Sequence, residues 1–309
     1  MTPQGHRPRV VLVTRKTPLE LLRELRGTLD QVRFYLRSRG QEIAEYQAAH
    51  DRFAAAYAAV EQAIPADQRR VRVDRQDLDR FLFAPDDLIL VVGQDGLVAN
   101  VAKYLRGQQV IGINADPERF DGVLCRHPPS AARRLLAWTA APRGGAFRVE
   151  RRTMTVAERE DGQRLLALNE IFVGHRTHQS ARYVLEASGR RERQSSSGLL
   201  CATGTGATGW ARSISEQRRI ERVLAGPEDP RLAWFVREPF PSVYTETKLD
   251  FGLLEPGERL LAHSEMAEGG VAFADGIESD ALEFLGGQSL ALRRAAEVLH
   301  LVVPVKLRP

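Results

Sequence analysis

Residues 86–96 have the sequence DDLILVVGQDG, an apolar run that stops at a glycine-flanked aspartate. The aliphatic block Leu88–Val92 predicts a strand that is buried on both faces of a parallel sheet. Helix-compatible residues 97–105 follow at once. A strand, a tight turn and a helix place Asp95 at the carboxyl edge of the sheet, where open α/β folds bind their ligands.

The residues around Asp95 fit two interpretations. Gly93 and Gly96 let the backbone approach a phosphate, and a helix N-terminus attracts anions. A carboxylate among these donors could hold a metal ion or take a proton from a sugar hydroxyl. Alternatively, Asp95 only caps the following helix. The shape of the motif alone leaves both interpretations open.

The composition bounds the class of protein. The chain has 309 residues, of which 43% are hydrophobic, so two domains are expected. No stretch approaches the roughly 18 apolar residues of a membrane span, which argues against a membrane partner. Cys125 and Cys201 are too few for a disulfide framework and have no zinc-ligand spacing around them. A reducing, cytoplasmic location is therefore the expectation.

The positive charge of the chain is carried almost entirely by arginine. The net charge is +4, and lysine occurs only at positions 16, 103, 248 and 306. Arginine forks suit phosphate recognition, although coding bias gives the same abundance. Because no dense basic block with interleaved aromatic residues occurs, nucleic acid is not expected as a partner.

The first part of the chain alternates between strand and helix patterns. Strands are predicted at residues 9–14, 71–73, 88–92 and 109–114, with mostly helical residues 19–64, a short helix at 77–83 and another at 131–138. Thr17 and Pro18 suit the N-cap and first turn of the first helix. This alternation predicts a parallel, doubly wound sheet.

The pattern changes near residue 144, after the break at residues 142–145. Short alternating stretches separated by turn residues then predict an antiparallel β domain. The strands are expected at residues 147–150, 164–167, 171–173, 183–186, 198–202, 249–254, 259–262, 271–273 and 289–303, with a helix at 211–224. The predicted domains are therefore residues 1–143 and 144–309.

Two further segments are candidates for ligand binding. Residues 203–210 read TGTGATGW, and their glycines and hydroxyls suit a loop that lies against a ligand, or else a tight turn with a structural tryptophan. The GxGxxG match within this segment lacks a βαβ context, so we interpret it as accidental. The pair Asn169 and Glu170 could bridge ribose hydroxyls, or it could be ordinary surface polarity.

In this order, these elements resemble the NAD kinase family, and specifically its mitochondrial type. The family's Gly-Gly-Asp-Gly-Thr loop is matched by Gly93, Asp95 and Gly96, and its Ile-Gly-Val/Ile-Asn strand by residues 111–114. The later matches are Asn169-Glu170, the Ser-Ser-Gly at residues 196–198, Thr203–Gly206 and Asp275-Gly276. The resemblance spans roughly residues 9 to 290.

The resemblance implies an N-terminal Rossmann-like α/β domain, a β-sandwich-like NAD-binding domain, and a C-terminal stretch that can return to the first. It implies transfer of the γ-phosphoryl of ATP to the 2′-hydroxyl of the NAD adenosine ribose, with Mg²⁺ and a homodimer. Asp95 would be the general base, or the group that orients that hydroxyl. The residues implied to bind substrate are Gly93, Gly96, Asn114, Asn169, Glu170, Thr203, Thr205, Thr208, Gly209, Trp210 and Ser213.

The chain departs from the family's loop at two positions. Gln94 stands where the family has its second glycine, and Leu97 stands where it has threonine. If that glycine needs a positive φ, Gln94 costs about 1 kcal/mol of strain or changes the loop. Two alternatives to an NAD kinase therefore stay open: a kinase of the same fold with another nucleoside or sugar acceptor, and a non-catalytic NAD(P) sensor.

Overall fold

The structure, a computed structural model, describes residues 7–141, 145–220, 224 and 226–305. The chain divides into two compact units: unit 1 comprises Met1–Glu150 and His300–Pro309, and unit 2 comprises Arg151–Leu299. The boundary thus follows Glu150, whereas the sequence predicted it near residue 143, which lies outside the described residues.

Unit 1 is an α/β unit with helices interspersed among parallel strands. Its elements are β1 Val10–Thr14, α1 Pro18–Arg26, α2 Leu29–Arg37, α3 Ile43–Ala63, β2 Arg70–Asp74, β3 Leu88–Gly93, α4 Asp95–Ala102, β4 Gln109–Asn114 and α5 Ala132–Ala140. The strands lie in the order β2-β1-β3-β4, and each neighbouring pair is parallel. His300 and Leu301 continue the sheet beyond β4, also in parallel.

The core of unit 1 explains why its central strands are aliphatic. Every residue of β1 and β3 is buried. Val60 of α3, Leu135 of α5 and Ile64, which follows α3, pack in one cluster with alternate residues of these strands, and α4 also contacts both strands. A strand covered on both faces reads as a continuous apolar run, without alternation.

The helices of unit 1 follow the start and stop signals of the sequence. Thr17 caps α1 through a capping box with Glu20, and α1 ends before Gly27, which has a positive φ. The prediction of a helix at residues 77–83 is wrong. The chain forms a single 3₁₀ turn at Arg75–Asp77, and turn and irregular residues follow it. The break predicted at residues 142–145 falls largely outside the described residues.

Unit 2 is a β unit with one described α-helix. It contains β5 Phe147–Arg159 (from Arg151 onward), β6 Arg164–Ala167, β7 Glu170–His175, β8 Ala181–Ala187, β9 Arg190–Ser196, β10 Leu199–Ala202, α6 Trp210–Gln217, β11 Leu232–Val236, β12 Phe251–Leu254, β13 Arg259–Ser264, β14 Gly270–Ala274, β15 Ile277–Glu283 and β16 Ser289–Pro304 (up to Leu299).

These strands form the two layers of a sandwich. One layer has the order β16-β13-β8-β9 with β5 and β6 attached, and the other has the order β12-β11-β10-β7-β14-β15. Tyr183, Leu260 and Leu290 of the first layer pack with Ile171 and Trp234 of the second in a single buried cluster. The strand pairings within the second layer are antiparallel.

The predicted fold class, a parallel α/β domain followed by a β-sandwich-like domain, is therefore confirmed. Strands β9, β11 and β15 were not predicted from the sequence. The helix predicted at residues 211–224 is too long, since α6 ends at Gln217, and residues 221–223 lie outside the described residues. None of the described helices combines the length and apolar character that crossing a bilayer requires.

Candidate functional site

Asp95 is fixed by backbone amides of a neighbouring loop of unit 1. Its Oδ2 accepts a hydrogen bond from the amide of Val123 at 2.8 Å, and its Oδ1 accepts from Leu124 at 2.9 Å and Cys125 at 2.8 Å. The helix cap is Gln94, so Asp95 is the first residue of α4 and not its cap. A carboxylate has roughly four acceptor positions, of which these amides use three, and the side chain is partly exposed.

The loop that holds Asp95 lies directly on β4. A Cβ at Gly112 would stand 2.3 Å from the carbonyl oxygen of Leu124, so only glycine lets the two segments approach this closely. Beyond this contact, the amide of His127 donates to the carbonyl of Gly112, and the amide of Asn114 donates to the carbonyl of His127. The Ile-Gly-Ile-Asn strand therefore supports the loop that positions the carboxylate.

The Cys125 thiol beside Asp95 is not an activated nucleophile. Burial, with a smaller contribution from the charge of Asp95, raises the pKa of this thiol far above its ordinary value. A thiol that stays protonated is inert towards electrophiles. Of these two neighbouring side chains, only the carboxylate of Asp95 therefore remains a candidate for proton transfer.

The glycine requirement of the loop lies at Gly93, not at Gln94. Gly93 has a φ of +155°, whereas Gln94 has φ −111° and ψ 163°, which any residue adopts. The strain anticipated for Gln94 is therefore absent. Leu97 is 1% exposed and lies 3.5 Å from where a Cβ of Gly93 would stand, so it packs beneath the turn.

Asn114, which the resemblance implied as a substrate contact, is engaged within its own loop. Its amide nitrogen donates to the carbonyl of Phe120, and its Oδ1 accepts from the amide of Asp116. The side chain is 6% exposed, although the residue lines a cavity of about 350 Å³ in unit 1. In this structure, Asn114 shapes the loop that borders this cavity.

The second candidate loop, residues 203–209 of unit 2, is built by close backbone contacts. A Cβ at Gly206 would stand 2.2 Å from the carbonyl oxygen of Asn169, so Gly206 lets the two loops touch. Thr203 is fully buried, and its hydroxyl donates to the carbonyl of Leu168 and accepts from the amides of Thr205 and Gly206. The side chain of Thr203 thus holds the loop and offers no surface to a substrate.

The remaining residues predicted in this loop and in the first turns of α6 differ in exposure. Thr205 is buried, with its hydroxyl 3.5 Å from the buried Arg152, whereas Thr208, Gly209 and Ser213 are exposed. Trp210 is half-buried. Its ring stacks on Phe172 at 5.6 Å, and the guanidinium of Arg237 lies 4.9 Å from the ring centre.

Asp275 organises the turn that carries Asn169 and Glu170. Its carboxylate accepts from the amides of Leu168 at 3.0 Å, Asn169 at 2.7 Å and Glu170 at 3.3 Å. Burial, and then the charge of Asp275, raise the pKa of the Glu170 carboxyl to about 7. Below that pH the carboxyl is neutral, so it donates a hydrogen bond as well as accepting one.

The shifted pKa of Glu170 predicts a pH-dependent stability. In the unfolded chain, this carboxyl ionises near pH 4.5, but in the folded chain it holds its proton until about pH 7. As the pH rises from about 4.5 to about 7, the free energy of unfolding therefore falls by about 3 kcal/mol, and above pH 7 this group causes no further change. The variant Glu170→Gln is expected to lack this fall.

Urea unfolding at pH 5, 6, 7 and 8 measures the difference between wild type and Glu170→Gln. The exposed Glu278, on strand β15 nearby, provides the control Glu278→Gln, whose profile is expected to parallel that of the wild type. Parallel profiles for Glu170→Gln as well would contradict a raised pKa at Glu170.

The structure adds site residues that the sequence analysis did not single out. Arg15 follows β1, and the amides of residues 123–125 hold Asp95. The position of Arg15 at the carboxyl end of a parallel strand was a usable signal, because such ends share one edge of the sheet. No local signal marks residues 123–125, since their contribution is made by the backbone.

Known proteins match this chain in sequence over about half of its length and in fold over almost all of it. No protein-family model matches the chain. The curated protein NAD kinase 2, mitochondrial, of Rattus norvegicus is 26% identical over 243 residues, which covers 54% of this chain and 57% of the relative. Its Homo sapiens counterpart is also 26% identical, with coverage of 54% and 55%. The match thus spans little more than half the length of these relatives.

Solved structures extend the likeness over almost the whole chain. A crystal structure of yeast NADH kinase complexed with NADH has a TM-score of 0.58 at 14% identity, and covers 97% of this chain and 85% of that one. An NAD kinase from Archaeoglobus fulgidus in complex with ATP has a TM-score of 0.54 at 19% identity, with coverage of 95% and 92%.

The arrangement of a parallel α/β unit and a β-sandwich unit is thus the fold of NAD and NADH kinases of known structure. Together with the curated relatives, it confirms the predicted resemblance to the NAD kinase family.

Proposed function

We propose that this chain is an NAD kinase, which transfers the γ-phosphoryl of ATP to the 2′-hydroxyl of the NAD adenosine ribose to give NADP. The observation that carries the proposal is the setting of Asp95. Its carboxylate lies at the carboxyl end of β3, is oriented by the amides of residues 123–125, and keeps an acceptor position. A fixed carboxylate with a spare lone pair is suited to orient and deprotonate a hydroxyl.

In this reaction, a bond forms between the ribose 2′-oxygen and the γ-phosphorus of ATP. The bond from that phosphorus to the β–γ bridging oxygen breaks, ADP leaves, and the hydroxyl proton passes to Asp95. Most of the rate enhancement in phosphoryl transfer comes from positioning and from neutralising charge on the phosphates. The cationic side chains after β1 and β4, including Arg15 and Arg119, are available for that second task in unit 1.

The residues of the chain fit a magnesium ion that arrives with its nucleotide. Among the described residues, no group of three or more His, Cys, Asp or Glu side chains could hold a metal ion on its own. Mg²⁺ in kinases is generally held by one or two carboxylates and by substrate phosphates, where it neutralises charge. We therefore propose Mg²⁺–ATP as the donor, with the carboxylate of Asp116, which lines the pocket after β1 and β4, as a protein ligand.

Unit 2 supplies the polar groups that suit a nucleoside. Asn169 and Glu170 are presented by a turn fixed by Asp275, and Thr208, Gly209 and Ser213 offer exposed polar groups beside the ring of Trp210. We propose that these residues bind the adenosine part of NAD. The homodimer and the cytoplasmic location stay predictions.

The test is a phosphoryl-transfer assay with purified chain, Mg²⁺–ATP and either NAD or NADH, in which product is measured with an NADP-specific dehydrogenase. We expect NADP formation that requires both Mg²⁺ and ATP. Transfer of labelled phosphate to another nucleoside or to a sugar, without NADP formation, would replace the proposal with a kinase of different acceptor. Tight NAD binding without any transfer would indicate a sensor.

A further inference from the structure

A pocket of about 170 Å³ lies at the carboxyl edge of the unit 1 sheet. It is lined by residues that follow β1, including Arg15 and Lys16, and by Gln94, Asp116, Arg119 and Phe53. Because the strand order is β2-β1-β3-β4, the chain reverses direction across the sheet between β1 and β3. Ligands of open α/β sheets bind at such a switch point.

Arg15 contributes a positive charge to this pocket that no carboxylate of the described residues neutralises. Lys16 forms an ion pair with Glu24, and Asp116 is paired with Arg52. Arg15 is half-buried and has no carboxylate partner among the described residues. Burial, and then the nearby charge of Arg75, lower the pKa of its guanidinium. A partly desolvated cation without an acidic neighbour favours an anion in the pocket.

Gln94 is the side chain that holds Arg15. The Nη2 of Arg15 donates to the Oε1 of Gln94 at 2.9 Å. Gln94 caps α4 with its backbone alone, since its side chain makes no capping hydrogen bond, so the amide is not needed for the helix. A guanidinium has five N–H donors, and one bond to Gln94 leaves the others available. A neutral acceptor fixes the arginine without cancelling its charge.

We propose that Gln94 is a positioning residue, which holds Arg15 ready for the phosphates of the phosphoryl donor. Arg15 contacts the polyphosphate chain directly, and Gln94 sets its orientation before the donor binds. This inference rests on the proposed function for the identity of the donor. The glycine that the NAD kinase loop carries at this position has no side chain with which to do the same.

The test measures binding of inorganic tripolyphosphate by calorimetry, which requires neither NAD nor catalysis. Arg15→Gln is expected to weaken binding about 10- to 100-fold, because it removes a charge-assisted hydrogen bond. Gln94→Met keeps the bulk but cannot accept a hydrogen bond, so we expect roughly 3- to 10-fold weaker binding. Gln94→Glu keeps Arg15 in place but neutralises it, and should weaken binding more than Gln94→Met.

Arg133→Gln is the matched control, since Arg133 is an exposed arginine of α5 that does not line the pocket. It is expected to bind tripolyphosphate as the wild type does. Wild-type affinity in Arg15→Gln would overturn the assignment of the pocket, and wild-type affinity in both Gln94 variants would overturn the positioning role. Because Gln94→Met alters no backbone requirement, it tests the idea even if Arg15→Gln folds poorly.

Kinetics separate this inference from the proposed function. If NADP is formed, the Gln94→Met variant is expected to raise KM for ATP several-fold while leaving KM for NAD unchanged. Equal increases in both constants would indicate a general loss of structure and overturn the positioning role. If no NADP is formed, the calorimetric series still decides whether Arg15 and Gln94 bind a polyphosphate.

Discussion

Replacing Asp95 with asparagine is expected to lower the rate of NADP formation by about 10²- to 10⁴-fold, the range for loss of a general base. Asparagine keeps the size of the side chain but cannot take the hydroxyl proton. It also presents an N–H group to a cluster of N–H donors, since the amides of Val123, Leu124 and Cys125 all point at the carboxylate. That mismatch costs about 1–3 kcal/mol of stability.

The loss of stability and the loss of the base are separable in measurement. Circular dichroism and urea unfolding establish the folded fraction of Asp95→Asn, and the rate of NADP formation is then expressed per folded molecule. Asp86→Asn is the control, because Asp86 is exposed and precedes β3 at the opposite end of the same strand. A rate in Asp95→Asn within a few-fold of the wild type would remove Asp95 as the base.

The placement of Asp95 was predictable because several signals agreed. A short, continuous aliphatic run is typical of a parallel strand that is buried on both faces, and the glycines after it indicate where that strand ends. What the sequence could not reveal is the partner of the carboxylate. Residues 123–125 lie 28 to 30 positions further on and act through backbone amides, which every residue type supplies.

Gln94 illustrates a second limit of the sequence. A departure from a glycine-rich motif suggests strain, but strain depends on φ, and the positive φ belongs to the neighbouring Gly93. The family pattern alone cannot tell which of two adjacent glycines the backbone requires. Gln94 and Arg15 are 79 residues apart in the sequence and follow neighbouring strands, so their contact could be expected only once the strand order is known.

Two of the strands that were not predicted, β9 and β15, carry mostly polar residues and follow tight turns, whereas β11 is an apolar run. Strand β9 has the sequence RRERQSS, which lacks an apolar face, yet it pairs along its whole length with β8. Its register is set by the turn at Ser188 and Gly189, both of which have a positive φ, as in a tight hairpin. Asp275 and Gly276 make the same kind of turn before β15. This Asp-Gly pair was a usable hairpin signal, besides being a family match.

Replacing Gly112 with alanine is expected to destabilise the protein, because Gly112 contacts the loop of residues 123–125 that holds Asp95. The added Cβ would stand 2.3 Å from the carbonyl oxygen of Leu124 and 2.8 Å from the Cα of Cys125. Both are backbone atoms, so no side-chain rotation relieves the contact. We expect a loss of about 1–3 kcal/mol in the free energy of unfolding.

The same variant is expected to lower NADP formation by more than its loss of stability explains. Moving Leu124 and Cys125 by even a few tenths of an ångström shifts two of the three amides that orient Asp95. Faster hydrogen exchange at these two amides would report the displacement directly. Gly286→Ala is the control, since its Cβ would lie 3.4 Å from the carbonyl of Met266, an ordinary contact. If Gly112→Ala matched this control in stability, exchange and rate, the 123–125 loop would not depend on β4, and the orientation of Asp95 would need another source.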